Sequence, residues 1–374
     1  MDEERTTLAT EIAAELELSV VGSAKTLTGK LRQSERLRQE LRARGLVRQF
    51  TSHEEDARTL DIAGVAVAAK TLPAFGGLLY GTTAHAHHLR LAQHDILGAS
   101  EQVQVHIGDL DYYETTQRMR WKRAQHAFEL LTTVLEADAP PRVTLLDVPI
   151  FVSRGDDRNR AQIEDVEEEW LEMLHTINGF WRAHFTQLYP LRADGVTVAS
   201  VQNQNATPLF TALNNNPKTS PDAIPANLAL FIQREWRRLR QAGMSRLVEM
   251  LVTPGSRTVA YSFEDINLAT NWEPNALHHS GILGFFMRAG ERTPIWQIQV
   301  AGHREHWTSD MLDRLADDIA RATLATGDRA EPLPLWYARR LAAFPQSILA
   351  LFRDLVHEQM QPASASEPLD APAT

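Results

Sequence analysis

The chain predicts an α/β fold: a mixed sheet carrying helical insertions, with helices at both ends. Three observations lead there. Two short aliphatic runs, 59–67 and 143–150, read as buried strands, and each holds one aspartate, Asp61 or Asp147. Between them lie two further strand-like stretches and one long helical pattern. Residues 2–45 and 308–360 repeat Leu against charge at helical spacing. An ionised carboxylate inside an aliphatic strand is costly unless a hydrogen bond, a cation or a metal compensates it. Each aspartate therefore reads either as a strand-end residue bonded to a loop amide or as half of a metal site at the mouth of the sheet.

Taken in order, residues 2–17 and 26–45 read as two helices, the second stopped by Gly45. Residues 59–69 form a strand, followed by the turn-rich Leu72-Pro73-Ala74-Phe75-Gly76-Gly77. Strands follow at 78–92 and 101–108, where Gln102 to Ile107 alternates at period two. A helix spans 112–137 and ends at Ala139-Pro140-Pro141, and the Asp147 strand comes next. Strand, strand, strand, helix, strand is the opening of a ribonuclease-H-like sheet. In that layout, acids from the first strand, the helix and the fourth strand meet at one end.

Beyond it come a polar loop at 153–158, a helix at 162–187 and a strand at 195–201 that runs into Gln202-Asn203-Gln204-Asn205. A loop covers 214–225 and a helix 226–241. Paired strands at 247–252 and 257–262 are expected across Pro254-Gly255, then a hairpin at 281–288 and 294–300, and helices at 308–325 and 335–360. The Pro/Ala/Ser-rich tail, 361–374, is expected to be disordered. The domain reading is a helical region at 1–50, the ribonuclease-H-like domain with insertions at 51–360, and the tail.

At 374 residues and 43% hydrophobic, the chain can bury a large core. Cysteine is absent, which excludes disulfides, thiolate zinc sites and a cysteine nucleophile. The N-terminus is acidic with no apolar run behind it, and no apolar stretch approaches the ~20 residues of a membrane span. A cytoplasmic protein without membrane partners is expected. The net charge of −10 argues against a general nucleic-acid coat, but basic residues cluster. Residues 23–48 are strongly basic, Arg118, Arg120, Lys122 and Arg123 surround Trp121, and Arg234, Arg237, Arg238 and Arg240 surround Trp236. Such clusters read as phosphate-contacting surfaces or as solvated helix faces.

Metal-assisted phosphodiester hydrolysis needs hard oxygen ligands, commonly around two ions. Asp61 and Asp147 are the anchors for such a site, and Glu129 on the 112–137 helix is the third acid, with Glu114 the alternative at the helix's far end. Gln125 lies one turn before Glu129 and would orient it. Histidines make a rival constellation: His85 and His87 share a strand face, with His88 and His94 nearby, but no carboxylate stands at a familiar metal spacing. His303 and His306 are a second, weaker pair. No Walker motif, nucleophile elbow or dinucleotide fingerprint is present.

The order of these features resembles the NurA nucleases, the DNA-end-processing partners of the HerA helicase-translocase. Leu60-Asp61-Ile62-Ala63-Gly64 stands where that family has a strand ending in Asp-Gly, and Leu145-Leu146-Asp147-Val148-Pro149 resembles its later Leu-Leu-Asp-Gly-type strand. Val198-Ala199-Ser200-Val201 resembles the strand that leads to a lysine, but Gln202 takes the lysine's place. Pro332-Leu333-Pro334-Leu335-Trp336-Tyr337-Ala338-Arg339 resembles a Pro-rich helix entry, with Arg339 in place of a histidine. The resemblance implies a Mn²⁺- or Mg²⁺-dependent nuclease on single strands and duplex ends, with Asp61 and Asp147 binding metal and the third, helix acid left between Glu129 and Glu114. It also implies a homodimer docked on a HerA-like hexameric ATPase in double-strand break repair. The departures at Gln202 and Arg339, the two candidate supporting residues, equally suit a non-catalytic subunit that clamps DNA or regulates the translocase.

Overall fold

The computed structural model of the protein describes residues 2–50, 59–74, 76–92, 95–150, 164–188, 195–203, 205–215, 220–263, 282–301, 307–325 and 331–360. Strands β2 (Leu60–Ala74), β3 (Gly77–Ala92) and β4 (Asp95–Leu110) form an antiparallel meander. Helix α2 (Thr115–Leu135) then crosses back to β5 (Val143–Leu146), which pairs in parallel with β2. After α3 (Glu164–His184), β6 (Thr197–Asn203) pairs in parallel with β5. The resulting order, β4-β3-β2-β5-β6, is the ribonuclease-H-like core predicted above.

The sheet continues past β6. The hairpin of β9 (Ile282–Arg288) and β10 (Trp296–Ala301) adds antiparallel to it, and β7 (Ser256–Thr258) and β1 (Val47–Gln49) extend the edge. β8 (Tyr261–Ser262) pairs with β9, which completes a ten-stranded sheet.

Both faces of the central strands are covered, which is why 59–67 and 143–150 are aliphatic throughout instead of alternating. One face packs Val65, Val67 and Leu146 against Trp121 and Phe128 of α2 and Trp181 of α3. The same core takes in α4 (Thr207–Asn214), α5 (Ala226–Ala242) and α6 (Met244–Leu251). The other face packs Ile62, Leu145, Phe285 and Ile298 against α7 (Ser309–Leu324) and α8 (Leu333–Leu341). Helix α9 (Gln346–Met360) seats Leu349 with Phe344 on Leu79.

Four elements differ from expectation. Residues 2–17 and 26–45 lie in one helix, α1 (Asp2–Ala43), because Gly22 and Gly29 lower helix propensity without blocking it; Gly45, at φ 78°, ends it as expected. Residues 247–252 belong to α6, not to a strand: Met244, Leu247, Val248 and Leu251 repeat at i, i+3, i+4, i+7, and all four are buried. The expected 335–360 helix is two, separated at Ala342-Ala343-Phe344-Pro345, since a proline does not continue the helix before it. Residues 47–49, placed with the N-terminal helices, enter the sheet as β1. Buried Arg257 on β7 holds this corner, donating to Asp222 from Nη1 at 2.7 Å and Nη2 at 3.0 Å, while Arg48 of β1 reaches Asp222 at 3.1 Å and Asp313 at 2.8 Å.

Helix α8 approaches the sheet at one glycine. A Cβ on Gly64 would lie 2.4 Å from the backbone of both Pro334 and Leu335, so this residue sets how closely α8 can settle. Gly64→Ala is expected to destabilise the protein by about 1–3 kcal/mol, as overpacking a tight contact does. Urea unfolding will read this, and an unchanged midpoint would show that α8 moves freely.

Candidate functional site

The C-terminal end of β5 opens into a cleft of about 1100 Å³ between α2 and α8. Asp147, the residue after β5, lies at its base. The strand pairing continues through its backbone, whose N–H donates to Val65 O at 3.0 Å, and its Oδ1 accepts from the Val67 N–H at 3.2 Å. Its Oδ2 lies 3.2 Å from Nη2 of Arg123 on α2 and 3.9 Å from Nε of Arg339 on α8. Arg123 is also anchored through Nε to Val67 O at 2.8 Å, and Arg339 pairs with Glu331. Burial pushes the Asp147 carboxyl above the usual carboxylate range, and the two guanidinium groups pull against that rise.

Among the described residues the rest of the wall is cationic or neutral. Lys70, Arg120 and Gln202 line it beside Arg123 and Arg339. Gln202 donates from Nε2 to Ser200 Oγ at 2.8 Å, and Ser200 donates to Val148 O at 2.7 Å, which fixes the amide at the cleft edge. Lys70 and Arg120 have no acidic partner among the described residues. Among the described lining residues one carboxylate, Asp147, thus faces four cations, of which Arg339 also pairs with Glu331. Mn²⁺ and Mg²⁺ need several oxygen ligands, usually carboxylates. A single Asp already engaged by two guanidinium groups does not supply them, so these residues do not fit a divalent cation. They fit an anion with several oxygens, which Arg binds in fork geometry.

The three acids expected to share a site are placed apart. In the parallel register Val65 faces Leu146, so Ala66 stands level with Asp147. Asp61 lies five positions earlier in β2, about 16 Å away along the strand. There it bonds Nε2 of His88, whose Nδ1 lies 3.5 Å from Ser100 Oγ. Glu129 is six residues beyond Arg123 on α2, about 9 Å along the axis and on another face. Its Oε2 lies 3.4 Å from His106 Nε2, and its Oε1 accepts from Gln125 at 3.2 Å. Glu114, the alternative acid, precedes α2 with a left-handed φ of 46°.

The basic cluster on α2 divides. Arg120 and Arg123 line the cleft, whereas buried Arg118 pairs with Glu169 at 2.7 Å and with Asp111, and Lys122 pairs with Glu172 at 2.9 Å. Those two bind α2 to α3 and turn no free charge to solvent. The positions read from sequence as Asp147, Gln202 and Arg339 do converge. Lys70 escaped notice there, although its place ten residues after Leu60 puts it at the same end of the sheet as Asp147. Of the rival histidines, His85 and His87 share a face with ring centroids 6.3 Å apart, and His87 stacks on Tyr337 at 4.7 Å. His94, His303 and His306 lie outside the described residues.

No family model matches the chain, and no curated protein matches it. Solved structures do. The NurA nuclease from Sulfolobus solfataricus is similar at a TM-score of 0.53 and 9% identity, over 94% of this chain and 98% of that one. NurA bound to dAMP and manganese scores 0.47 at 10% identity over 91% and 99%, and the catalytic domain of human endonuclease V scores 0.35 at 12% over 89% and 98%. The likeness to the Sulfolobus structure is one of fold, a NurA-type arrangement on a ribonuclease-H-like mixed sheet, and it spans nearly the whole of both chains. Among the described residues no helix is long and apolar enough to cross a membrane.

Replacing Arg123 and Arg339 together by Ala leaves Asp147 buried without its cations. A loss of stability on the order of 2 kcal/mol at pH 7 is expected, the scale of a buried charge stripped of partly exposed partners. The raised carboxyl sets the sign: once Asp147 is protonated the uncompensated charge is gone, so the deficit shrinks as pH falls through its folded-state pKa. Urea titrations of both proteins across pH 4–8 will read this, and a deficit constant over that range would contradict it.

Proposed function

We propose that this protein binds DNA by seating a backbone phosphate in the cleft above Asp147, and that it does not hydrolyse the phosphodiester there. The carrying observation is the composition of the cleft, with Lys70, Arg120, Arg123 and Arg339 around one buried carboxylate that two of them already engage. Asp147 serves as a keel: it holds the two guanidinium groups in place while their remaining N–H donors stay available to an incoming phosphate. Arg123 and Arg339 arrive from opposite faces of the sheet, so a phosphate between them would bridge α2 and α8.

In this reading the chain is a non-catalytic NurA-like subunit that clamps single strands or duplex ends. The resemblance in sequence and the NurA-type fold further suggest a homodimer working with a HerA-like hexameric ATPase in DNA break repair. The clamp reading is favoured over the metal-dependent nuclease implied by the same resemblance, because Ala66 stands level with Asp147 and the flanking helices bring arginines into the cleft.

Linear DNA incubated with the protein and Mn²⁺ is expected to stay intact while binding is readily measured. Arg339→Ala should weaken binding and reduce the salt slope of log K by about 1, as for one lost phosphate contact. Asp147→Asn should tighten binding on the order of tenfold, the scale of removing one negative charge several ångströms from the phosphate in a screened cleft. By the same sign, wild-type binding should tighten as pH falls through the Asp147 pKa, and the Asn variant should lack that component. Mn²⁺-dependent DNA degradation abolished by Asp147→Asn would overturn the proposal.

A further inference from the structure

A second constellation lies on the opposite flank of α2, away from the cleft. His126 and Glu129 stand three residues apart on that helix and so share a face. The register of β3 with β4 pairs Thr82 with His106, which brings His106 beneath them. The two imidazole rings stack with centroids 3.7 Å apart and planes 4° from parallel. Glu129 Oε2 lies 3.4 Å from His106 Nε2, a buried ring nitrogen that makes no hydrogen bond. One ligand atom from each of His106, His126 and Glu129 falls within 4.8 Å of the other two.

From this geometry we propose that His106, His126 and Glu129 form a binding site for a divalent transition metal of the Zn²⁺ class. Two imidazoles and one carboxylate are the donor set that borderline ions such as Zn²⁺ and Co²⁺ prefer, whereas Mg²⁺ and Ca²⁺ select oxygen ligands alone. The supporting contacts have the form expected around metal-binding histidine. Thr82 Oγ1 lies 2.6 Å from His126 Nδ1, which assigns that nitrogen to the threonine and leaves Nε2 as the ligand atom. Gln125 donates to Glu129 Oε1 at 3.2 Å and holds the carboxylate in place. Burial lowers the pKa of His126 to about 3, with the neighbouring His106 and Lys122 acting in the same direction. Lys122, the cation one turn away, is neutralised by Glu172 at 2.9 Å.

The site is open on one side. The side chains of His106 and Glu129 keep 35% and 30% of their exposure, which leaves room for water or an exchangeable fourth ligand. Binding requires the stacked rings to tilt apart by tens of degrees so that their in-plane lone pairs converge on one point. The ion would then tie strand β4, at the sheet edge, to α2. The site stands independently of the phosphate cleft, because no residue is shared.

Titration of the full chain with Co²⁺, followed by visible d–d absorption and by thermal unfolding, tests this. One ion per chain is expected, with a rise in Tm and competition by Zn²⁺. His106→Ala and Glu129→Gln should each weaken binding by at least ~10–100-fold, the range seen when a metal's supporting contacts alone are removed. Both side chains are partly exposed, so folding of each variant can be verified by circular dichroism. His87→Ala, in the other histidine group, should leave binding unchanged. No Co²⁺ binding by the wild type, binding retained in both ligand variants, or loss of binding in His87→Ala would each overturn the assignment.

Discussion

The parallel pairing of β2 with β5, with Val65 opposite Leu146, determines which side chains can reach the mouth of the cleft. In this register Ala66 is level with Asp147, and Lys70 lies beyond it on the same strand. Asp61, the acid that the aliphatic run displays most plainly, is carried to the far end of β2. Pairing in a buried sheet resists slippage, because a shift of one residue would turn every core side chain to the wrong face. Val65, Val67, Leu145 and Leu146 are all within a few percent of complete burial, so the hydrophobic packing of both faces maintains that register.

Everything at the cleft follows from that alignment. With no second acid lining the cleft beside it among the described residues, Asp147 is left with the cations that the flanking helices bring. Arg123 enters from α2, where buried Ala124, Ala127 and Phe128 set the helix's rotation on the sheet. Arg339 enters from α8, whose approach depends on the missing side chain at Gly64. The buried carboxylate is costly alone and tolerable between two guanidinium groups. What the fold shares with NurA is the scaffold; the chemistry depends on the particular side chains around the cleft, and among the described ones the cations come from β2 and the two flanking helices.

Much of the scaffold could be read from the chain because its signals are local and strong. The alternation in β4, the aliphatic runs of β2 and β5 and the proline stop after α2 each identify one element, and their order specifies the core of the sheet. The convergence of Asp147, Gln202 and Arg339 was legible because each falls at the end of an identifiable element. The misplaced acids have a different origin. Strand register is a pairwise property, and the run around Asp61 shows a buried strand without showing which of its residues sits beside Asp147. The same limit hid Lys70 and the meeting of His106 with His126, which depends on the pairing of β3 with β4 and on the rotation of α2. The reading of α6 as a strand was a matter of period: eight residues with five apolar positions suit a strand or a helix until packing decides.

The central claim is that the cleft at Asp147 holds an anion and not a metal ion. The most direct measurement is a crystal structure of the protein with a 5′-phosphorylated oligonucleotide and Mn²⁺, with anomalous scattering collected to locate manganese. A phosphate within hydrogen-bonding distance of Arg123 and Arg339 is expected, with no anomalous peak at Asp147. Manganese coordinated by Asp147, with the two arginines turned away, would contradict it.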